Sequence, residues 1–145
     1  AERVPLRPHM VSGVPRELVL GEIARADIVV DQLNALTSGV FALEAMALGR
    51  PVLTRFSREL LAPFARDTPL VPVTADTLED ELVALAGDRE RRERLGAAGR
   101  EFVARTHDAT IVAERLEAVY EHARTRPAGL FEATEQGIRP LPSPG

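Results

Sequence analysis

With 145 residues, 45% of them hydrophobic and 28% charged, the chain has the make-up of one globular domain able to bury roughly two-thirds of its unfolded surface. All eighteen basic residues are arginine and there is no cysteine, which excludes lysine Schiff bases, the lysine of a Walker-type phosphate loop, disulfides and thiol nucleophiles. A net charge of −4, no Trp and one Tyr argue against nucleic acid as a partner. The absence of any apolar run of membrane length predicts a cytoplasmic chain without a transmembrane segment.

In chain order, Val4 and Leu6 alternate between Pro5 and Pro8, a weak strand suited only to a sheet edge. Ser12-Gly13-Val14-Pro15 starts a helix, with Pro15 as its first helical residue, Glu17 in its first turn, and Val19, Ile23 and Ala26 as its apolar stripe. Asp27 to Leu33 follows as a strand whose Ile28-Val29-Val30 centre suits burial on both faces. After a polar turn from Asn34 to Gly39, a short helix runs from Val40 to Leu48, with Met46 in its packing. Gly49 closes it and Pro51 prevents its continuation. Pro51 to Phe56 is the next strand.

Ser57 is placed to cap a short helix with Leu60, Leu61 and Phe64, limited by Pro63. Pro69 to Val73 gives a further strand. Asp76 and Glu79 have the spacing of a capping box, ahead of inward-facing Leu78, Leu82 and Leu85. Asp88 starts a helix whose Arg89–Glu93 and Glu90–Arg94 pairs lie one turn apart, with Leu95, Ala98 and Phe102 as its buried face. Asp108 caps a last helix with Val112, Leu116 and Val119 inward. From Thr125 the composition shifts to Pro, Gly and Ser, so residues 1–124 are expected to form the domain and residues 125–145 a flexible tail.

Alternating strands and helices predict an α/β fold, a parallel sheet with helices on both faces joined by right-handed crossovers. Three strong strands are few for such a sheet, which suggests that its first strands come from elsewhere. The stretch with chemical promise is Ser38 to Phe41. Gly39 opens a helix at the carboxyl end of a parallel strand, where the first turn presents unpaired N–H groups and a positive dipole end to an anion. Asp31 ends the preceding strand at the edge where open α/β sheets place ligands; an Asx-type turn bond is its bland role. Glu44, one turn inside the helix, is either a surface carboxylate or an acceptor for a ligand. The three histidines show no metal-ligand spacing, and Ser57 lacks a nucleophile-elbow context.

The blocks A-D-I-V-V-D-Q-L (Ala26 to Leu33) and G-V-F-A-L-E-A-M-A-L-G-R-P-V (Gly39 to Val52) resemble the donor-binding C-terminal domain of retaining, nucleotide-sugar-dependent glycosyltransferases of family 4. The likeness continues through Pro69 to Val73, L-G-x-x-G-R at Leu95 to Arg100, and His107-Asp108, ending near Tyr120. The resemblance implies a Rossmann-like fold and binding of a UDP- or GDP-sugar without a metal. It implies that Glu44 accepts hydrogen bonds from the ribose hydroxyls and that Ser38, Gly39, Val40 and Phe41 receive the diphosphate and sugar. Leu36 stands where the family has the first Glu of its motif, Glu44 matching the second, and the family's first strand, basic pair and acceptor domain have no counterpart before Ala26. On this reading the fragment depends on an N-terminal domain or partner chain and is expected to be inactive alone. A non-catalytic interaction module that kept the fold and lost the donor site is the alternative, and an unpaired sheet edge would favour a homodimer.

Overall fold

A computed structural model of the protein describes residues 5–35, 37–61, 67–125, 131–134 and 137–140. Its elements follow in the order α1 (Arg16–Arg25), β1 (Val29–Val30), α2 (Val40–Ala47), β2 (Val52–Thr54), α3 (Arg58–Leu61), β3 (Val71–Pro72), α4 (Leu78–Gly87), α5 (Arg89–Thr106) and α6 (Ala109–Thr125), then β4 (Phe131–Thr134) and β5 (Gly137–Pro140). The protein is therefore α/β, built on a small parallel sheet of order β1-β2-β3. The strands are shorter than their apolar runs. Val29 pairs with Val52 and Leu53 with Val71, and flanking residues add backbone bonds between the strands, from Asp31 N to Leu53 O and from Val73 N to Thr54 O.

Neighbouring residues on β2 point to opposite faces and nucleate two cores. Val52 packs with Ile23 of α1, Ala42, Ala45 and Met46 of α2 and Phe102 of α5. Leu53 packs on the other side with Leu85 of α4, joined by Leu78, Leu82 and Leu95. Met46 and Leu53 are fully buried, each contributing roughly 2 kcal/mol of transfer free energy. β1 has no partner along its outer edge among the described residues, and Val30 on it is exposed.

The helix ends depart from the sequence pattern in instructive places. Pro15 keeps an extended backbone, so α1 begins one residue later, at Arg16. Gly49, at φ +71°, ends α2 in a Schellman arrangement, its N–H donating to Met46 O and that of Arg50 to Ala45 O. The capping box at Asp76 and Glu79 does not form. Thr77 precedes α4 instead, its hydroxyl accepting from Thr74 N at 2.9 Å in a turn that closes before the helix begins. Asp88 caps α5 as expected, accepting from Arg91 N at 2.8 Å, and the two one-turn ion pairs follow it at 2.7 Å.

Two buried faces need correcting. On α5, Ala98 is exposed while Gly96 and Gly99 are buried against α2. A Cβ at Gly96 would collide with the backbone carbonyl of Gly49, so the helices cross at a distance that only glycine allows. On α6, Val112 and Leu116 are exposed rather than inward, and Val119 is half-buried, because α6 packs against little besides α5 and β5. Leu6 is likewise exposed and in no strand. Val4, Leu36, Pro63 and Phe64 lie outside the described residues. Within the stretch assigned by composition to a tail, β4 and β5 form an antiparallel hairpin in register Phe131–Pro140 to Thr134–Gly137.

Candidate functional site

The orientation of α1 and α2 decides where the predicted residues meet. At one end the Arg50 guanidinium, just beyond α2, donates to Ala24 O near the end of α1 at 2.5 Å. At the other, Arg16, the first residue of α1, pairs with Glu44 of α2. The two helices thus lie side by side, both starting at the carboxyl edge of the sheet. Gly39 and the orphan N–H groups of the first turn of α2 lie at that edge too.

Glu44 follows Val40 by four residues and Phe41 by three, and a helical Cβ leans toward the N-terminus, so its carboxylate reaches back toward the same turn. Glu44 is the fifth of the eight residues of α2, so its carboxylate lies about one turn along the helix from the Gly39 bend. Glu44 is largely covered, its side chain 15% exposed, whereas that of Arg16 is 67% exposed. Both Nε and an Nη of Arg16 reach the same oxygen, Oε1, at 2.6 and 2.5 Å. The other guanidinium nitrogen takes no part in that contact.

Gly39 has an extended backbone, at φ −91° and ψ −179°, and no side chain caps the turn. Ser38 is half-buried before it, Val40 projects into solvent, and Phe41 packs into the core beneath. Asp31 stands opposite. Its N–H donates to Leu53 O at 2.9 Å, and the next carbonyl, that of Gln32, accepts from Arg55 N and from the buried Thr54 hydroxyl at 3.2 and 3.1 Å. These bonds fix the end of β1. They leave Asp31 Oδ2 buried without a hydrogen-bond partner among the described residues, 4.0 Å from where a Cβ on Gly39 would stand. The Gln32 amide is nearer still, at 3.5 Å, and donates to Thr37 O at 3.3 Å, closing the loop between β1 and α2.

Sequence reasoning missed Arg16 and Gln32. Nothing in local spacing links Arg16 to Glu44 across 28 positions, and only the polarity of the turn hints at Gln32. The remaining features lie elsewhere. A surface hollow of about 250 Å³ beside α1 is lined by residues such as Met10, Val14 and Leu18 and by none of the six predicted site residues. At the α5–α6 corner, burial and the Arg115 charge hold the His107 imidazole below its ordinary pKa. There Nδ1 lies 2.7 Å from the Thr106 hydroxyl, which donates to Phe102 O at 2.5 Å. Among the described residues no three His, Asp or Glu side chains converge as metal ligands, and no helix is long and apolar enough to cross a membrane.

Chemically, the carboxyl edge offers amide donors, a covered carboxylate with an arginine on it, and a second carboxylate oxygen without a partner. Such a set suits a ligand that carries both an anionic group and hydroxyls. Comparison with known protein families, with characterised proteins and with solved structures gives no match.

Proposed function

We propose that the chain is the nucleotide-sugar-binding portion of a retaining glycosyltransferase, Rossmann-like in fold and cytoplasmic. It would take a UDP- or GDP-sugar at Ser38–Phe41, Glu44 and Asp31, with no metal, and act with an acceptor domain or partner chain. The reading is carried by one observation: Glu44, about one turn into α2, is a largely covered carboxylate held by Arg16, on a helix whose first turn follows a parallel strand and has no side-chain cap. Amide donors of that turn would stabilise the departing nucleoside diphosphate, which gathers negative charge as the sugar leaves. A ribose diol donating to Glu44 would gain the strength of hydrogen bonds to an ion.

Calorimetry with UDP, GDP and their sugars tests it. Wild type is expected to bind at least one of them, and Glu44→Ala to weaken that binding about tenfold or more. No binding by wild type, or an unchanged constant in the variant, rejects the assignment.

A second reading is a non-catalytic interaction module. It is favoured by α6, whose Val112, Leu116 and Tyr120 form an exposed apolar stripe, and by the open edge of β1, where a second copy would extend the sheet. Native mass spectrometry without nucleotide separates the two, since a module would associate with itself or a partner there.

A further inference from the structure

We infer that Arg16 is a specificity-determining residue of this site: it makes the edge selective for hydroxylated ligands that also carry a negative charge, and discriminates against neutral ones. The inference rests on the nucleotide-binding reading and adds to it the residue that sets charge selectivity.

The physical basis is the asymmetry of the pair. Glu44 is mostly covered and Arg16 mostly exposed, so the carboxylate depends on the guanidinium for its charge balance more than the guanidinium depends on it. A neutral polyol approaching Glu44 has two courses open to it. It can displace Arg16, leaving a covered carboxylate without its counter-ion, or share the remaining lone pairs with Arg16 in place. Both courses cost affinity.

A ligand with a phosphate avoids that loss. Arg16 can turn from Oε1 to the phosphate through its planar fork, and the hydroxyls then occupy the Glu44 positions it leaves. Charge stays balanced at both sites. The exposed start of α1 gives the side chain freedom to turn, and the lysine-free sequence leaves arginine as the only fixed cation for this role. The uncapped turn at Gly39 and the unpartnered Asp31 Oδ2 beside it extend the same division, anion to the amides and hydroxyl to the carboxylate.

The test compares UDP with uridine, and GDP with guanosine, on wild type, Arg16→Gln and Arg16→Lys, with circular dichroism to verify folding. In wild type the diphosphate is expected to bind about thirtyfold or more tightly than its nucleoside. In Arg16→Gln that ratio falls about tenfold, with the nucleoside unchanged or tighter; Arg16→Lys restores part of it. A ratio unchanged within about twofold in Arg16→Gln overturns the role of Arg16 while the nucleotide site stands. A wild type that binds neither diphosphate overturns both.

Discussion

The two ends of α2 use their residues in opposite ways. At the C-terminal end the contacts are packed into the fold, although the buried Arg50 Nε has no hydrogen-bond partner among the described residues. Gly49 takes a left-handed turn, its carbonyl lies against Gly96, Met46 touches Gly99, and Arg50 is tied to Ala24. At the N-terminal end the cap is a glycine without a side chain, Asp31 beside it keeps an oxygen unpartnered among the described residues, and Glu44, about one turn further along, is held by an arginine that is mostly in water. A helix so firmly anchored at one end can carry exposed amides and charges at the other without losing position. That division lets substitutions at the two ends be read separately, as stability at one and as ligand binding at the other.

The sharpest way to break the comparison is Gly96→Ala. Elsewhere on a helix the change would gain up to about 1 kcal/mol of propensity. Here the new methyl meets a backbone carbonyl that cannot rotate away, so we expect a net loss of about 2 kcal/mol, read as a fall in the urea midpoint. Gly99→Ala is the control. Its Cβ would stand 3.2 Å from Met46 Cβ and Cγ, a tight contact relieved by a small shift rather than a collision, and the net change should stay within about 1 kcal/mol. Equal losses at the two glycines would show that the close crossing is not what anchors the helix.

At the other end, Asp31→Asn keeps the shape and removes the charge. The amide leaves a polar atom where the unpartnered oxygen stood, but a neutral group costs less to desolvate than a carboxylate, so the variant should match or exceed wild-type stability by up to about 1 kcal/mol. It should weaken any hydroxylated ligand that wild type binds. A clear loss of stability would mean that Asp31 serves the fold and that the end of α2 is less free than proposed.

Much of this was legible where the determining interactions are local. The Asp88 cap, the two ion pairs after it and the Gly49 stop each depend on residues within a turn of one another, and each forms. What sequence pattern could not supply are contacts whose partner is distant. Gly96 and Gly99 look like penalties to a helix until Gly49 and Met46 are seen against them, so Ala98 was the natural choice for the buried face. Asp76 and Glu79 have correct capping spacing, but Thr74 and Thr77 close their own turn first. Arg16 carries no local mark of its pairing with Glu44. Glu44 could be singled out from the sequence as a candidate; that Arg16 pairs with it could not.

A smaller effect, at the α5–α6 corner away from both ends of α2, depends on pH. Because the folded His107 imidazole titrates below 6.5, the unfolded chain binds the extra proton first as the medium is acidified. Its contribution to stability is therefore fully present above pH 6.5 and declines as the pH falls toward and through the lowered value. His107→Gln should flatten the decline in melting temperature over that window while leaving ligand affinity at neutral pH unchanged. A wild-type imidazole titrating above 6.5 by NMR would reverse the sign and refute the account.

The smallest expected effect lies on α6, and it tests why an apolar pattern there did not become core. Leu116 is 48% exposed and Tyr120 69%, whereas Leu85, with the same helical spacing logic on α4, is fully buried. A leucine half in water has already forgone much of its transfer free energy, and a void cannot form beside a side chain with solvent on one face. Leu116→Ser should therefore cost less than about 1 kcal/mol in the isolated chain, against about 3 kcal/mol for Leu85→Ala. The same measurement on a self-associated or partner-bound form would give a different answer if the stripe is covered there, since Leu116 would then lose its place in an interface. A large cost in a chain shown by sedimentation to be monomeric would place α6 in the core after all, and would remove the main support for the interaction-module reading.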